Sequence, residues 1–244
     1  MMKKTVLAVV TVSMLGLAGC SAVHTAVAKR NLDVQTKMSE TIFLEPAAER
    51  TVYLQIRNTS TEQDLSLEPK LRQALQNKGM TISTNPDTAQ YWIQANVLSV
   101  GKMNLRDAEN TLISGYGAGA FGAAAAAGVV GYNSSSGGAA LGAGLVGALV
   151  GVAADAMVED TNYTMVTDLQ IAEKAPKGVT VTTDNIAMLK QGTSGGKVQT
   201  STAQGDRHKY QTRVVSNANQ VNLEFKDAKT ALEDQLSKLV SGIF

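Results

Sequence analysis

Cys20 is the only cysteine in a chain of 244 residues, and it directly follows Leu17-Ala18-Gly19. A lone thiol in an oxidising compartment has no internal disulfide partner. Small residues ahead of a cysteine instead suit lipid transfer and cleavage: the thiol takes a diacylglyceryl group as a thioether, and the leader is cut before Cys20. The residues upstream complete that pattern, with Lys3 and Lys4 as a charged start, an apolar run from Val6 to Leu17, and the small-residue cleavage site. Ser21 rather than an aspartate follows the cysteine, which sorts an exported Gram-negative lipoprotein to the outer membrane. We therefore expect residues 1–19 to be a removed signal peptide. Cys20 then carries lipid, palmitate included, and no other cofactor is expected.

The remaining candidates for chemistry are poor. His24 and His208 are the only histidines, so with Cys20 committed to lipid no metal site is expected. His208 lies between Arg207 and Lys209 and reads as a solvated strand-end residue rather than a catalytic base. No serine sits in a nucleophile elbow. Gly117-Ala118-Gly119-Ala120-Phe121-Gly122 spells GxGxxG, but a dinucleotide site needs an acid about 20 residues on, and none occurs before Asp155. Glu159 and Asp160 read as an interface stop, and Trp92 with Tyr91 as core. No catalytic residue is expected, and the chain is read as not an enzyme. The formal net charge is +1, and it falls when Lys3 and Lys4 leave with the leader, so no nucleic-acid partner is suggested.

The elements that would position a surface follow from periodicity. Residues 20–49 read as a lipidated tether with a turn at Pro46 and a short strand over 41–44. Residues 51–57 alternate and are rich in β-formers, which predicts a strand. Ser66 precedes Leu67, Glu68 and Pro69 as an N-cap, and Leu67, Leu71, Ala74 and Leu75 recur at helical spacing until Gly79. A strand over 91–100 follows, so residues 50–108 form the first half of a body. Residues 159–244 form its second half, with strands over 163–171 and 208–215 and shorter strands around 179–183 and 198–202 flanking a loop at 191–196. A terminal helix over 223–240 presents Ala228, Ala231, Leu232, Leu236, Leu239 and Val240 on one face. The expected fold class is α+β, a small mixed sheet with flanking helices.

The interruption, residues 109–158, is unusual in having no charge between Glu109 and Asp155. Two apolar runs, 111–131 and 139–158, are each about 20 residues, and as helices would match the hydrocarbon thickness of a bilayer. The pair reads as a Gly/Ala-rich helical hairpin inserted in the membrane, with a buried soluble hairpin as the rival. Small-xxx-small spacing nominates Gly115, Gly119, Gly122, Gly138, Gly142, Gly147 and Gly151 as membrane-helix packing residues. Glycine on several faces would require copies to pack side by side, which predicts a homo-oligomer arranged as a ring.

With these features in place, the chain resembles the TraT family of complement-resistance and surface-exclusion lipoproteins of conjugative plasmids. The resemblance rests on Leu17-Ala18-Gly19-Cys20-Ser21, Lys37-Met38-Ser39-Glu40-Thr41-Ile42-Phe43-Leu44-Glu45-Pro46, residues 50–60 and residues 115–151. It implies a non-catalytic, surface-exposed outer-membrane protein that excludes related plasmids by interfering with mating contact and helps its cell resist complement. Its partners would be membrane lipid, copies of itself, and a donor-cell pilus or outer-membrane protein. On that reading Asn133, Ser134, Ser135, Ser136, Gly137 and Gly138, at the hairpin tip, are candidate specificity residues. The alternative class is a ring-forming lipoprotein that scaffolds or lines an export pore.

Overall fold

A computed structural model describes residues 27–117, 159–191 and 195–244. Its elements are β1 (Asp33–Met38), β2 (Thr51–Asn58), α1 (Leu67–Asn77), β3 (Thr81–Ser83), β4 (Tyr91–Lys102) and α2 (Leu105–Ile113), then β5 (Asp160–Lys174), β6 (Val181–Gln191), β7 (Gly195–Gly205), β8 (Arg207–Val221) and α3 (Phe225–Ser241). Six strands form one sheet in the order β1-β8-β5-β4-β2-β3, while β6 and β7 form a two-stranded ribbon of their own. β1, β8, β5 and β4 run antiparallel to their neighbours, and β4, β2 and β3 run parallel. The parallel pairing of β2 with β3 follows from the intervening α1, since parallel neighbours need a crossover connection.

Period-two alternation divides the sheet into two faces. One face carries Val52, Ile93, Val97, Leu169, Ile171, Val214 and Ala218, all buried against Leu67, Leu71 and Leu75 of α1 and Ala228, Leu232, Leu236 and Val240 of α3. The i, i+4 spacing on both helices is what makes each present one apolar stripe to the sheet. Each leucine so buried contributes about 1.5–3 kcal/mol. On the opposite face α2 covers a smaller cluster, Met103, Ala108, Val166 and Val215 with Leu98 and Leu112. The register of β4 on β5 shifts between Val97 and Ser99, so β4 bulges where that second cluster begins.

The expected fold class needs correction. Strand dominates: β5 and β8 each run for 15 residues, well beyond the strands predicted, and the sheet is large rather than small. Among the described residues no helix is long and apolar enough to cross a membrane. The first residues assigned to a membrane hairpin belong to α2, where Thr111 is buried and Leu112 packs against the sheet. Gly115 follows with φ 73°, a left-handed conformation that ends a helix rather than lining one. Residues 118–158, which held the rest of that expectation, lie outside the described residues. For Thr111 and Leu112, lack of charge goes with packing of α2 against the sheet rather than with lipid contact.

The tether also ends sooner than expected, because β1 pairs with β8 from Asp33↔Asn219 to Met38↔Val214. The strand predicted over 41–44 is absent, and that segment crosses the sheet end as irregular chain.

Candidate functional site

Where α2 stops, the second face of the sheet continues without a helix over it among the described residues. Tyr91, Ile93, Ala95 and Val97 of β4 point into the core, so Trp92, Gln94 and Asn96 point the other way. Pairing register sets Gln55 beside Gln94, Gln94 beside Gln170, and Gln170 beside Gln211. Their amides join into a ladder across four strands. Gln211 Nε2 donates to Gln170 Oε1 at 2.7 Å, Gln170 Nε2 to Gln94 Oε1 at 2.6 Å, and Gln94 Nε2 to Gln55 Oε1 at 2.6 Å. Each link uses one N–H and one lone pair, and a primary amide has two of each. The ladder therefore offers further donors and acceptors at the strand spacing of about 4.8 Å.

The next row towards α2 is Arg57, Asn96, Asp168 and Arg213. Arg213 is fully buried and grips Asp168 with both arms, Nε to Oδ1 at 2.7 Å and Nη2 to Oδ2 at 3.0 Å. Its Nη1 donates to Ser114 Oγ at 3.1 Å, and Asp168 Oδ2 accepts the Gly117 N–H at 3.0 Å. A planar fork on a carboxylate is the geometry that best compensates burial of both charges. The pair thus ties the end of α2 to the sheet. Beside it, burial raises the Tyr116 pKa, the Asp168 charge adds to the effect, and a hydrogen bond with Gln211 opposes it.

On the other side of the ladder the row is Tyr53, Trp92, Ala172 and Lys209. The Arg207 guanidinium lies 4.2 Å over the Trp92 ring and donates to the carbonyls of Pro86, Ala89 and Gln90. Burial pushes its pKa down, while Asp206 and Asp87 pull the other way. Trp92 Nε1 donates to the same Pro86 carbonyl at 2.6 Å. These contacts fasten the loop before β4 onto the start of β8. Arg57 and Lys209 remain exposed at the two margins, so cations rim the amide rows while the Asp168 charge is already matched by Arg213.

The rows present amide donors and acceptors between exposed cations. His208 stands exposed at the start of β8, and none of these rows holds a nucleophile beside a base. Among the described residues no three of His, Cys, Asp and Glu gather to hold a metal. Another buried acid, Glu173, accepts from Tyr210 Oη and from the Glu45 N–H, both at 3.2 Å. Burial and then the Glu173 charge push the pKa values of Tyr91 and Tyr210 up, with Arg50 opposing at Tyr91. This cluster pins residues 40–50 to the core and has no access to the amide face.

Of the residues nominated from sequence, only Gly115 is described. Cys20, Gly119, Gly122, Asn133, Ser134, Ser135, Ser136, Gly137, Gly138, Gly142, Gly147 and Gly151 all lie outside the described residues. The four glutamines went unnominated, since each is an ordinary polar position of an alternating strand and only the register makes them a set.

The fold and this face define a class: a β-rich body with a polar, cation-rimmed sheet surface and, among the described residues, no assembled metal centre. Residues 31–244 match the family described as Enterobacterial TraT complement resistance protein. The chain is 59% identical over 242 residues to a TraT complement resistance protein of Escherichia coli, covering 99% of both. It is 58% identical over 241 residues to that of strain K12, covering 99% of this chain and 98% of the relative. It is 30% identical over 241 residues to one from Wigglesworthia glossinidia brevipalpis, covering 98% of this chain and 95% of that protein. The chain belongs to the TraT family of complement resistance proteins.

Proposed function

We propose that this protein is a lipid-anchored outer-membrane lipoprotein that acts without catalysis. It protects its cell from complement and hinders stable mating contact with a donor cell by presenting a binding surface at the envelope. The family's name supports the first activity, and the leader ending at Cys20 supports the anchor. The observation that carries the mode of action is the glutamine ladder: four amides built into register on four strands, rimmed by Arg57 and Lys209, on a sheet whose other face is filled by its core. Its candidate partners are envelope components of the donor or of complement, and copies of the chain itself.

The test compares cells carrying the wild type, Cys20→Ala, and the combined Gln55→Ala, Gln94→Ala and Gln170→Ala variant at matched protein levels. Survival in serum and efficiency as a conjugation recipient are measured together. Cys20→Ala is expected to lose protein from the outer membrane and both activities with it. The ladder variant should stay in the outer membrane yet lose about tenfold in at least one activity, equivalent to about 1.4 kcal/mol of binding. Wild-type survival and exclusion from the ladder variant would show that this face is not the working surface.

A further inference from the structure

The described chain begins at Val27, and Lys29 is already bound to the sheet, its carbonyl accepting the Val221 N–H at 2.9 Å. A lipid on Cys20 therefore holds Lys29 on a leash that spans no more than about 30 Å even when fully extended. Lys29 sits at one particular end of the sheet. There β8 finishes, β5 starts at Asp160↔Val221, β1 starts at Asp33↔Asn219, and β4 finishes with Lys102↔Tyr163.

At this end several large apolar side chains face solvent, with Val27 72%, Leu32 37% and Leu105 53% exposed. They belong to two segments, the stretch before β1 and the start of α2, that come together only through the register of β1, β8, β5 and β4, over a width of about 15 Å. Arg30 and Arg106, both exposed, stand beside them. Apolar side chains next to long cationic ones suit the headgroup boundary of a bilayer, where apolar groups enter and charged tips stay wet.

The β6–β7 ribbon leaves from the opposite end. β5 and β8 close there at Lys174↔Arg207, the Ala175 N–H bonds to the Asp206 carbonyl at 2.8 Å, and the ribbon begins at Val181↔Gly205. Between the two ends lie the 15 residues of β5, about 50 Å of strand. The ribbon strands add 11 residues each, about 36 Å more.

We infer that the protein docks on the bilayer leaflet that holds its anchor through the end bearing Val27, Leu32 and Leu105, and thereby directs the β6–β7 ribbon away from the membrane. The occupant of that end is a lipid surface. The inference rests on lipidation of Cys20, and it identifies a contact surface that the amide face does not include. Charge alone does not drive it, because Asp33, Glu159 and Asp160 stand at the same end; the short leash and the apolar rim do. The competing arrangement has the body lying along the bilayer with Ile186 and Val198 of the ribbon, 72% and 62% exposed, entering it instead.

The experiment uses the full, lipidated protein in vesicles of phosphatidylethanolamine and phosphatidylglycerol. Because Cys20 is consumed as a thioether, Leu105→Cys or Ser201→Cys introduces the one reactive thiol for an environment-sensitive fluorophore. Arg106→Cys and Ala203→Cys serve as second positions should either first variant fold poorly. A spin-labelled phospholipid should quench the probe at 105 or 106 about twofold or more, since that probe lies within the ~10 Å interfacial layer. The probes at 201 and 203 should be unaffected. Quenching at 201 and 203, with none at 105 and 106, would overturn the orientation. Labelled palmitate on Cys20 is measured in the same preparation. Its absence would overturn the anchor, and the docking inference with it, whereas its presence beside reversed quenching overturns the docking alone.

Discussion

Arg213 and Asp168 show how much a single pair can hold in this protein. Their side chains are 1% and 12% exposed, and together they join β8, β5, Ser114 and Gly117. Removing one partner of such a pair leaves a buried charge uncompensated. Arg213→Ala should therefore lower unfolding stability by about 3–5 kcal/mol in a denaturant titration. At the helical core Glu233, 2% exposed, accepts the Ser66 N–H at 2.7 Å and meets Lys70 at 3.1 Å. The sequence nominated Ser66 as the cap of α1, and it stands at that position, but its hydroxyl makes no cap bond. A carboxylate from α3 sits there instead, where it also favours the positive end of α1. No spacing in the sequence connects residues 66 and 233. Lys70 is opposed by burial, yet hydrogen bonds and charge from Asp234 and Glu233 outweigh that and raise its pKa above 10.5. A raised folded-state value makes its stabilisation complete below the unfolded value and lost as pH rises through the folded one. The stability difference between wild type and Lys70→Met should be flat through neutral pH and shrink only in strong alkali. A difference that shrinks on acidification towards neutrality would contradict the assignment.

Among the elements, α1, α3 and the strand over residues 51–57 were the legible parts, while β1 and α2 were not expected. Leu71 and Leu75 of α1, and Leu232, Leu236 and Val240 of α3, are buried as their spacing required, because a one-sided helix has one way to satisfy its stripe. β5 and β8 were found but shortened. β5 continues from Asp160 to Lys174 and β8 from Arg207 to Val221, through residues whose weak local preference is overruled by pairing with each other. The ribbon was foreshadowed only as two short strands around a loop, yet Gly195 and Gly196 lie inside β7. Beyond its junction it makes little contact with the sheet, and an isolated hairpin is marginal in water. Replacing residues 181–205 by a short turn should therefore leave the unfolding free energy of the body within about 0.5 kcal/mol of wild type, as expected for changes away from the core. A loss of several kcal/mol would mean that the ribbon supports the sheet. The start of the charge-free tract misled for the opposite reason: Thr111 and Leu112 pack on the sheet as part of α2, and an uncharged pattern by itself does not say which apolar environment a segment enters.

At the scale of the whole molecule, the proposed anchor at Cys20 lies ahead of every described element of the body in sequence. Cys20→Ala should unfold with the wild-type body's midpoint while failing to stay in the outer membrane, a contrast that fractionation and denaturation can read side by side. The apolar stripes of α1 and α3 were determined by sequence alone, and the proposed leader and lipid-accepting Cys20 rest on sequence alone, because each depends on residues close together along the chain. The glutamine ladder, the buried Arg213–Asp168 fork, the capping of α1 by α3 and the gathering of Val27, Leu32 and Leu105 at one end were decided only by the tertiary structure. Each joins residues far apart in the chain whose proximity is created by sheet order and register, and a one-residue slip of any strand would turn its side chains to the other face.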